Sequence, residues 1–171
     1  MSTSLDLSKL SLMDALDLAI LIEEEAHQRY KMFASQFGRT GGSGSFFASM
    51  AENEAKHGTE ILNQRMELFG KAPMKLKLTD LYDVEAPDMG APRRGMSTVQ
   101  AFELGLAAEQ KAYDFYDMAL PGITDPEVKA LFTELRDEET EHVEMLQAAM
   151  AKLPQSATIV TENDPDDAPY L

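Results

Sequence analysis

The sequence predicts an all-α protein, built as a four-helix bundle with a long crossover between the second and third helices. The chain is rich in Leu, Ala, Glu and Met, which favour helix over strand. Four segments carry apolar residues at helical spacing, and the last two of these segments repeat the first two. With 171 residues, the chain fits one domain that can bury a sizeable core.

Capping residues set the expected ends of the four helices. The segments cover about residues 11–38, 46–69, 97–120 and 125–153, and the flexible stretch GRTGGSGS precedes the second. Ser11, Ser97 and Asp125 are expected as N-caps, because their side-chain oxygens can accept from free backbone N–H groups. Gly38 and Gly70 are expected to stop the first and second helices.

Helix length and loop length predict the topology. Helices of roughly 25 residues are about 35–40 Å long, which suits a bundle. Short links make helices one and two, and helices three and four, antiparallel neighbours. Residues 71–96 are too long for a tight turn and can cross the whole bundle. We expect residues 1–153 to form the bundle domain and residues 154–171 to form an acidic, extended tail.

Charge and composition exclude several classes of function. The formal net charge of −15 argues against nucleic-acid binding and favours multivalent cations as partners. The absence of cysteine removes disulfides, thiol catalysis and cysteine-ligated metal centres within this chain. The sequence has neither a secretory signal pattern nor an apolar run of the roughly 20 residues that a membrane span needs. We therefore expect a cytoplasmic protein without membrane partners.

An internal repeat relates the two halves of the chain. LDLAILIEEEAHQRY aligns with FELGLAAEQKAYDFY, and ENEAKHGTEIL aligns with the segment around residue 139. The alignment pairs Glu23 with Glu109, Tyr30 with Tyr116, Glu54 with Glu139 and His57 with His142. A duplicated helical hairpin gives pseudo-twofold symmetry, which predicts a site shared across the middle of the bundle.

Each predicted helix directs one glutamate inward near its midpoint. The inner face of the second helix reads Phe47, Met50, Glu54, His57, Ile61, Arg65 and Leu68, and that of the fourth reads Leu131, Leu135, Glu139, His142, Leu146 and Ala149. Four buried carboxylates would repel one another, and desolvation would cost several kcal/mol each. Lys56, Lys111 and Arg136 lie off the inner faces and cannot offset that charge.

Two divalent metal ions would balance the four carboxylates of Glu23, Glu54, Glu109 and Glu139. Glu and His three residues apart on a helix are neighbours, so both can reach one metal cluster. A mixed carboxylate and imidazole set suits iron or manganese better than soft copper. The residues therefore predict a pair of divalent ions, iron, manganese or one of each, as the cofactor.

The pattern resembles the ferritin-like di-iron carboxylate proteins, and within them the rubrerythrin group, over about residues 11–150. The resemblance implies that Glu54 and Glu139 bridge the metals. It also implies that Glu23 with His57 holds one ion and that Glu109 with His142 holds the other. Tyr30 and Tyr116, seven residues after the first glutamate of each repeat, would donate hydrogen bonds that orient ligating carboxylates.

The sequence departs from relatives in this resemblance at several points. Ala112 stands where peroxidase-type rubrerythrins have an extra carboxylate, and Ala55 stands where haem-binding bacterioferritins have Met, so no haem is expected. The cysteine-rich rubredoxin module is missing, which implies an external electron donor such as a rubredoxin-like protein, or substrate iron. Without an amphipathic fifth helix, we expect a small homo-oligomer, a dimer, instead of a 24-subunit shell.

The expected function is a di-iron oxidoreductase that oxidises Fe(II) with hydrogen peroxide or dioxygen, as a peroxide scavenger or a ferroxidase. One alternative is an iron-storage or shell-cargo protein that uses the same centre, and another is a bundle without metal. His27 is either an added ligand or proton relay, or a hydrogen-bonded histidine at the edge of the site. Glu24, Glu25, Glu138 and Glu141 are expected on solvated faces, and some of them could direct cations inward.

Overall fold

The computed structural model describes residues 11–38, 42–76 and 95–158. Its helices are α1 (Leu12–Gln36), α2 (Gly42–Phe69), α3 (Thr98–Ala119) and α4 (Pro126–Met150), with short 3₁₀ turns at Leu120–Gly122 and Gln155–Thr158. These ranges contain no strand, and the predicted all-α four-helix architecture is confirmed. Most of the predicted crossover, residues 77–94, lies outside the described residues.

The predicted N-caps all form. The Ser11 side chain accepts from the backbone N–H of Asp14 at 3.2 Å. Ser97 and Gln100 bond reciprocally, each side chain accepting from the other residue's backbone N–H, at 3.1 and 2.8 Å. Asp125 accepts from two backbone N–H groups in the first turn of α4, both at 3.0 Å. Side chains therefore satisfy backbone donors that the first turn of a helix leaves free.

The start of α2 differs from the prediction. The expected first residue was about Phe46, but the helix begins at Gly42, so the GSGS segment is helical. Gly44 is buried in this first turn, and a Cβ atom there would overlap the backbone carbonyl of Gly38. Glycine and serine suggested a flexible link because of their low helix propensity. The close approach of the two chain segments needs glycine at this position instead.

The bundle consists of two helical hairpins. α1 packs against α2, and α3 packs against α4, over much more of their length than either hairpin packs against the other. The predicted neighbours are therefore the observed ones. The two hairpins meet at a polar layer in the middle of the bundle, where side chains from all four helices approach one another.

Two apolar clusters lie on either side of this polar layer. The first apolar cluster includes Leu16, Leu18, Ile61, Tyr116, Phe132 and Leu135. The second apolar cluster includes Tyr30, Phe33, Phe47, Met50, Phe102 and Leu146. Leu68, expected on the inner face of α2, is 39% exposed, because the next residue, Phe69, packs against the first apolar cluster in its place.

A buried ion pair joins α1 to α2 at the end of the bundle where α1 begins. Arg65 donates through Nε to Asp17, and both side chains are buried. Nη2 of Arg65 also donates to the backbone carbonyl of Ala72 at 2.9 Å, just beyond α2. This pairing explains how Arg65 can occupy the inner face of its helix, because a buried charge needs a partner.

Beyond α4, the 3₁₀ turn Gln155–Thr158 contacts α3 and buries Ala157. Residues 159–171, the rest of the predicted acidic tail, lie outside the described residues, and the domain boundary at residue 153 stays a prediction. None of the helices in the described ranges is long and apolar enough to cross a membrane.

Replacing Gly44 by alanine should destabilise the metal-free protein by about 1–3 kcal/mol. The added methyl group would overlap the Gly38 carbonyl and force Gly38 and Gly44 apart. Urea denaturation measures the effect, and Ser45→Ala, at the exposed neighbouring position, is the control. Equal unfolding free energies for the two variants would show that the close approach contributes nothing.

Candidate metal centre

All six predicted ligand side chains lie in the core, between the two apolar clusters. Glu23, Glu54, His57, Glu109, Glu139 and His142 are each at most 3% exposed. α1 and α3 each supply one glutamate, while α2 and α4 each supply a glutamate and a histidine one turn apart. We call these six residues the carboxylate layer.

One half of the carboxylate layer surrounds His57. Nδ1 of His57 lies 3.5 Å from Oε2 of Glu23 and 3.7 Å from Oε2 of Glu54. The three residues offer ligand atoms that all lie within 4.8 Å of one another. A single ion placed among them would contact residues from α1 and α2.

The other half surrounds His142 and shares Glu54 with the first. Nδ1 of His142 lies 3.3 Å from Oε1 of Glu54, 3.4 Å from Oε2 of Glu109 and 3.5 Å from Oε2 of Glu139. Glu54, Glu109 and His142 form a second group of ligand atoms within 4.8 Å. The two oxygens of Glu54 therefore approach different histidines, Oε2 approaching His57 and Oε1 approaching His142.

Two tyrosines connect the hairpins across this layer. Tyr30 on α1 donates its hydroxyl hydrogen to Oε1 of Glu109 on α3, and Tyr116 on α3 donates to Oε1 of Glu23 on α1. Burial raises the pKa of both tyrosines well above the ordinary value, and the charge of the contacted glutamate raises it further. Both tyrosines therefore stay protonated donors. The second oxygen of each glutamate remains beside a histidine.

Burial and mutual contacts shift the pKa values of several groups in the metal-free layer. Burial, followed by neighbouring carboxyl groups, raises the pKa of Glu139 well above its usual range, and burial also raises that of Glu54. Burial opposes a charge on His57, but the adjacent carboxyl groups of Glu23 and Glu54 raise its pKa to about 10. Despite burial, hydrogen bonding with His142 lowers the pKa of Glu109. Burial and the neighbouring acidic groups therefore favour the protonated forms of Glu54, Glu139 and His57 in the metal-free layer.

Four buried polar atoms of the layer still lack a hydrogen-bond partner. They are Oε2 of Glu23, Oε1 of Glu54, Nδ1 of His57 and Oε2 of Glu139. A buried polar atom left without a partner costs about 1–3 kcal/mol. Four such atoms in one layer, all of them carboxylate oxygens or imidazole nitrogen, are the donor set that a divalent metal ion requires. The residues present therefore fit a metal centre.

A small cavity adjoins the carboxylate layer between α1 and α3. Its volume is about 30 Å³, close to the space of one water molecule. Its walls include Glu23, Glu54, Glu109 and Glu139, together with the apolar side chains of Ile22, Ala26, Ala108 and Ala112. Neither histidine belongs to these walls. The cavity gives a small molecule a place beside the carboxylates on the side away from the imidazoles.

Comparison with known proteins assigns the family. The rubrerythrin family model matches residues 14–150, which include the whole carboxylate layer and all four helices except the first two residues of α1. The chain belongs to the rubrerythrin family. A crystal structure of an uncharacterised conserved protein from Magnetospirillum magnetotacticum has a similar fold, with a TM-score of 0.65 and 24% identity over 85% of this chain and 97% of that chain. No curated protein matches the sequence.

This rubrerythrin-family chain has an inward cation that the sequence analysis missed. Arg29 is buried at the cavity beside the layer, and its Nη2 lies 3.0 Å from Oε1 of Glu25, which also lines the cavity. The expectation that Glu25 lies on a solvated face was wrong, because its side chain is only 14% exposed. Ala112, where peroxidase-type relatives are expected to have a carboxylate, lines the same cavity.

Glu138 is a second residue that the sequence analysis misplaced. We expected a solvated carboxylate, but its Oε2 lies 2.7 Å from Nε2 of His57, and its side chain is 28% exposed. The residue immediately precedes Glu139 in the chain and so lies at the flank of the inner face of α4. The repeat gave no signal, because the equivalent position is Asn53. Glu141 is exposed, as expected.

His27 lies one turn after Glu23 on α1. Its Nδ1 is 2.7 Å from the backbone carbonyl of Ala51, and the contact is partly buried. Nδ1 therefore donates to that carbonyl, because a carbonyl oxygen can only accept. This contact favours the second of the two interpretations, a hydrogen-bonded histidine beside the site.

Replacing Tyr30 or Tyr116 by phenylalanine should destabilise the metal-free protein by about 1–3 kcal/mol, because each change leaves a buried glutamate oxygen without its donor. Phenylalanine keeps the ring packing, and Tyr113→Phe, at a partly exposed position of α3, is the matched control. Chemical denaturation gives the three unfolding free energies. If all three variants have the wild-type unfolding free energy, the cross-hairpin hydrogen bonds do not stabilise the layer.

Proposed function

We propose that this protein is a di-iron oxidoreductase that oxidises ferrous iron with hydrogen peroxide or dioxygen. The observation that carries the proposal is the position of Glu54, whose two oxygens approach two different histidines inside a layer of unpartnered buried polar atoms. Membership of the rubrerythrin family supports it, because proteins of this family are often di-iron enzymes.

The proposed ligands divide between the two halves of the layer. Glu23 and His57 would hold one ion, and Glu109 and His142 would hold the other. Glu54 and Glu139 would be shared. The evidence is most direct for Glu54, which belongs to both groups of converging ligand atoms. For Glu139, the support is complete burial beside His142 and an oxygen without a hydrogen-bond partner.

Two bound iron ions would supply one electron each, so that an oxidant accepts a pair of electrons at one place. Manganese, or a mixed pair, would fit the same ligands. In this chemistry the protein would hold the two ions close together and keep bulk water away. Tyr30 and Tyr116 fix Glu109 and Glu23 in position by hydrogen bonds. The cavity of about 30 Å³ admits only a small oxidant.

The proposal includes a separate source of electrons. The chain contains no cysteine, so no cysteine-ligated iron centre within it can return electrons to the oxidised site. A rubredoxin-like donor, or fresh ferrous iron, would fill that role. We place the reaction in the reducing environment of the cytoplasm, and we propose a homodimer as the functional unit.

The two alternative functions have less support. An iron-storage or shell-cargo role depends mainly on the C-terminal tail, and residues 159–171 lie outside the described part of the chain. A purely structural bundle would leave four buried atoms of the carboxylate layer permanently without partners. Each such atom costs about 1–3 kcal/mol.

Anaerobic titration with Fe(II) should saturate at about two ions per chain, because the layer contains two groups of converging ligands. Binding should also release protons, because the raised pKa values of Glu54, Glu139 and His57 favour their protonated forms and the metals need the deprotonated forms. Titration calorimetry in buffers of different ionisation enthalpy measures both quantities. Subsequent addition of peroxide should oxidise the two ions together.

The matched variants for this titration are Glu54→Gln and Glu52→Gln, which lie on the same helix at a buried and an exposed position. Glu54→Gln should lose at least one of the two ions, whereas Glu52→Gln should bind like the wild type. Saturation of the wild type far from two ions per chain would contradict the proposal, and so would identical binding by the two variants. Comparing the rates with peroxide and with dioxygen identifies the preferred oxidant.

A further inference from the structure

The two ring nitrogens of His57 have different surroundings. Nδ1 has no hydrogen-bond partner and lies beside Glu23 and Glu54, within the carboxylate layer. Nε2 lies 2.7 Å from Oε2 of Glu138, which belongs to α4 whereas His57 belongs to α2. A carboxylate that accepts from Nε2–H leaves Nδ1 as the nitrogen with the free lone pair when the ring binds a metal ion.

We propose that Glu138 is a positioning residue, which orients His57 and makes the His57 half of the site the tighter of the two metal positions. The inference rests on the proposed function, because it concerns the ligands of the same pair of ions. It adds an order of loading, in which the first ion binds beside His57 and the second binds beside His142.

The inferred difference between the halves follows from the internal repeat. Position 138 corresponds to position 53, so the residue equivalent to Glu138 is Asn53, a neutral amide. In the described ranges, the ion-pair contacts of His142 all involve Nδ1, and its Nε2 has no carboxylate within ion-pair distance. A carboxylate on the outer nitrogen makes an imidazole a more basic ligand and fixes its ring. Only His57 has that support.

Glu138 differs from the acidic residues around it. Asp137 is paired with Arg136 at 2.9 Å, and Glu141 is exposed on the outer surface of α4. Glu138 instead contacts a buried histidine of the other hairpin, at a distance typical of a strong, charge-assisted hydrogen bond. The contact that fixes the position of Glu138 is therefore with the carboxylate layer and not with the acidic surface.

Zinc is a suitable probe because it is redox-inert and diamagnetic, so that binding is measured without any catalytic reaction. The full chain and three variants, Glu138→Ala, Glu138→Gln and Glu141→Gln, are titrated with Zn²⁺ by calorimetry with a competing chelator. Glu138→Ala should weaken the tighter binding step about 10- to 100-fold and change the weaker step by less than about threefold. Glu138→Gln keeps an oxygen acceptor without the charge. Its affinity in the tighter binding step should lie between those of Glu138→Ala and the wild type.

A spectroscopic measurement separates positioning from general stability. In the zinc-loaded wild type, the Nε2–H proton of His57 should give a downfield NMR signal protected from exchange, and this signal should disappear in Glu138→Ala. Glu141→Gln removes a nearby exposed charge of the same helix and should leave the signal and both binding steps unchanged. Melting temperatures of the metal-free variants check that each one is folded.

Three results would overturn the inference. Glu138→Ala binding both zinc ions as tightly as the wild type would show that the contact has no role in binding. If Glu138→Ala weakens both zinc-binding steps equally, and Glu141→Gln does the same, the effect is a general effect of charge. If the wild type binds no zinc and no ferrous iron, the proposed function fails as well. In the first two cases the wild type still binds two ions, so the proposed function stands.

Discussion

The burial of six ionisable side chains in the middle of the bundle is the constraint on which the rest of the structure depends. Two apolar clusters enclose this layer and remove it from water. Hydrogen bonds from two tyrosines reduce the cost of that burial, and the raised pKa values of Glu54, Glu139 and His57 favour their protonated forms. The remaining unpartnered oxygens and nitrogen are the atoms that a pair of metal ions would use. The same atoms that make the core costly are therefore the ligands of the proposed metal centre.

Symmetric and asymmetric features have different roles in this molecule. The repeated glutamates, histidines and tyrosines build two similar half-sites, and each tyrosine reaches from its own hairpin to the glutamate of the other. The buried pair of Asp17 and Arg65 occurs only in the first hairpin, because the residues at the equivalent positions are Glu103 and Met150. Glu138 likewise supports only one histidine. The repeated positions build the layer, and the positions that differ between the repeats make its halves unequal.

The sequence predicted the features that depend on local spacing and failed where distant segments meet. Capping residues located the helix ends, and inward spacing placed Glu and His in the core. The start of α2 was wrong because the need for Gly44 arises from its approach to Gly38. Arg29 and Glu138 were missed because residues at the flank of a helix face are either solvated or covered by a neighbour, and spacing alone does not separate the two cases. Protonation within the layer depends on burial, which the sequence does not specify.

The most direct test is anomalous X-ray diffraction from crystals loaded with Fe(II) under anaerobic conditions. The account predicts two anomalous peaks per chain in the carboxylate layer, one beside His57 and one beside His142, with Glu54 between them. Peaks found only among exposed carboxylates such as Glu134 and Glu141, with no density in the layer, would contradict it.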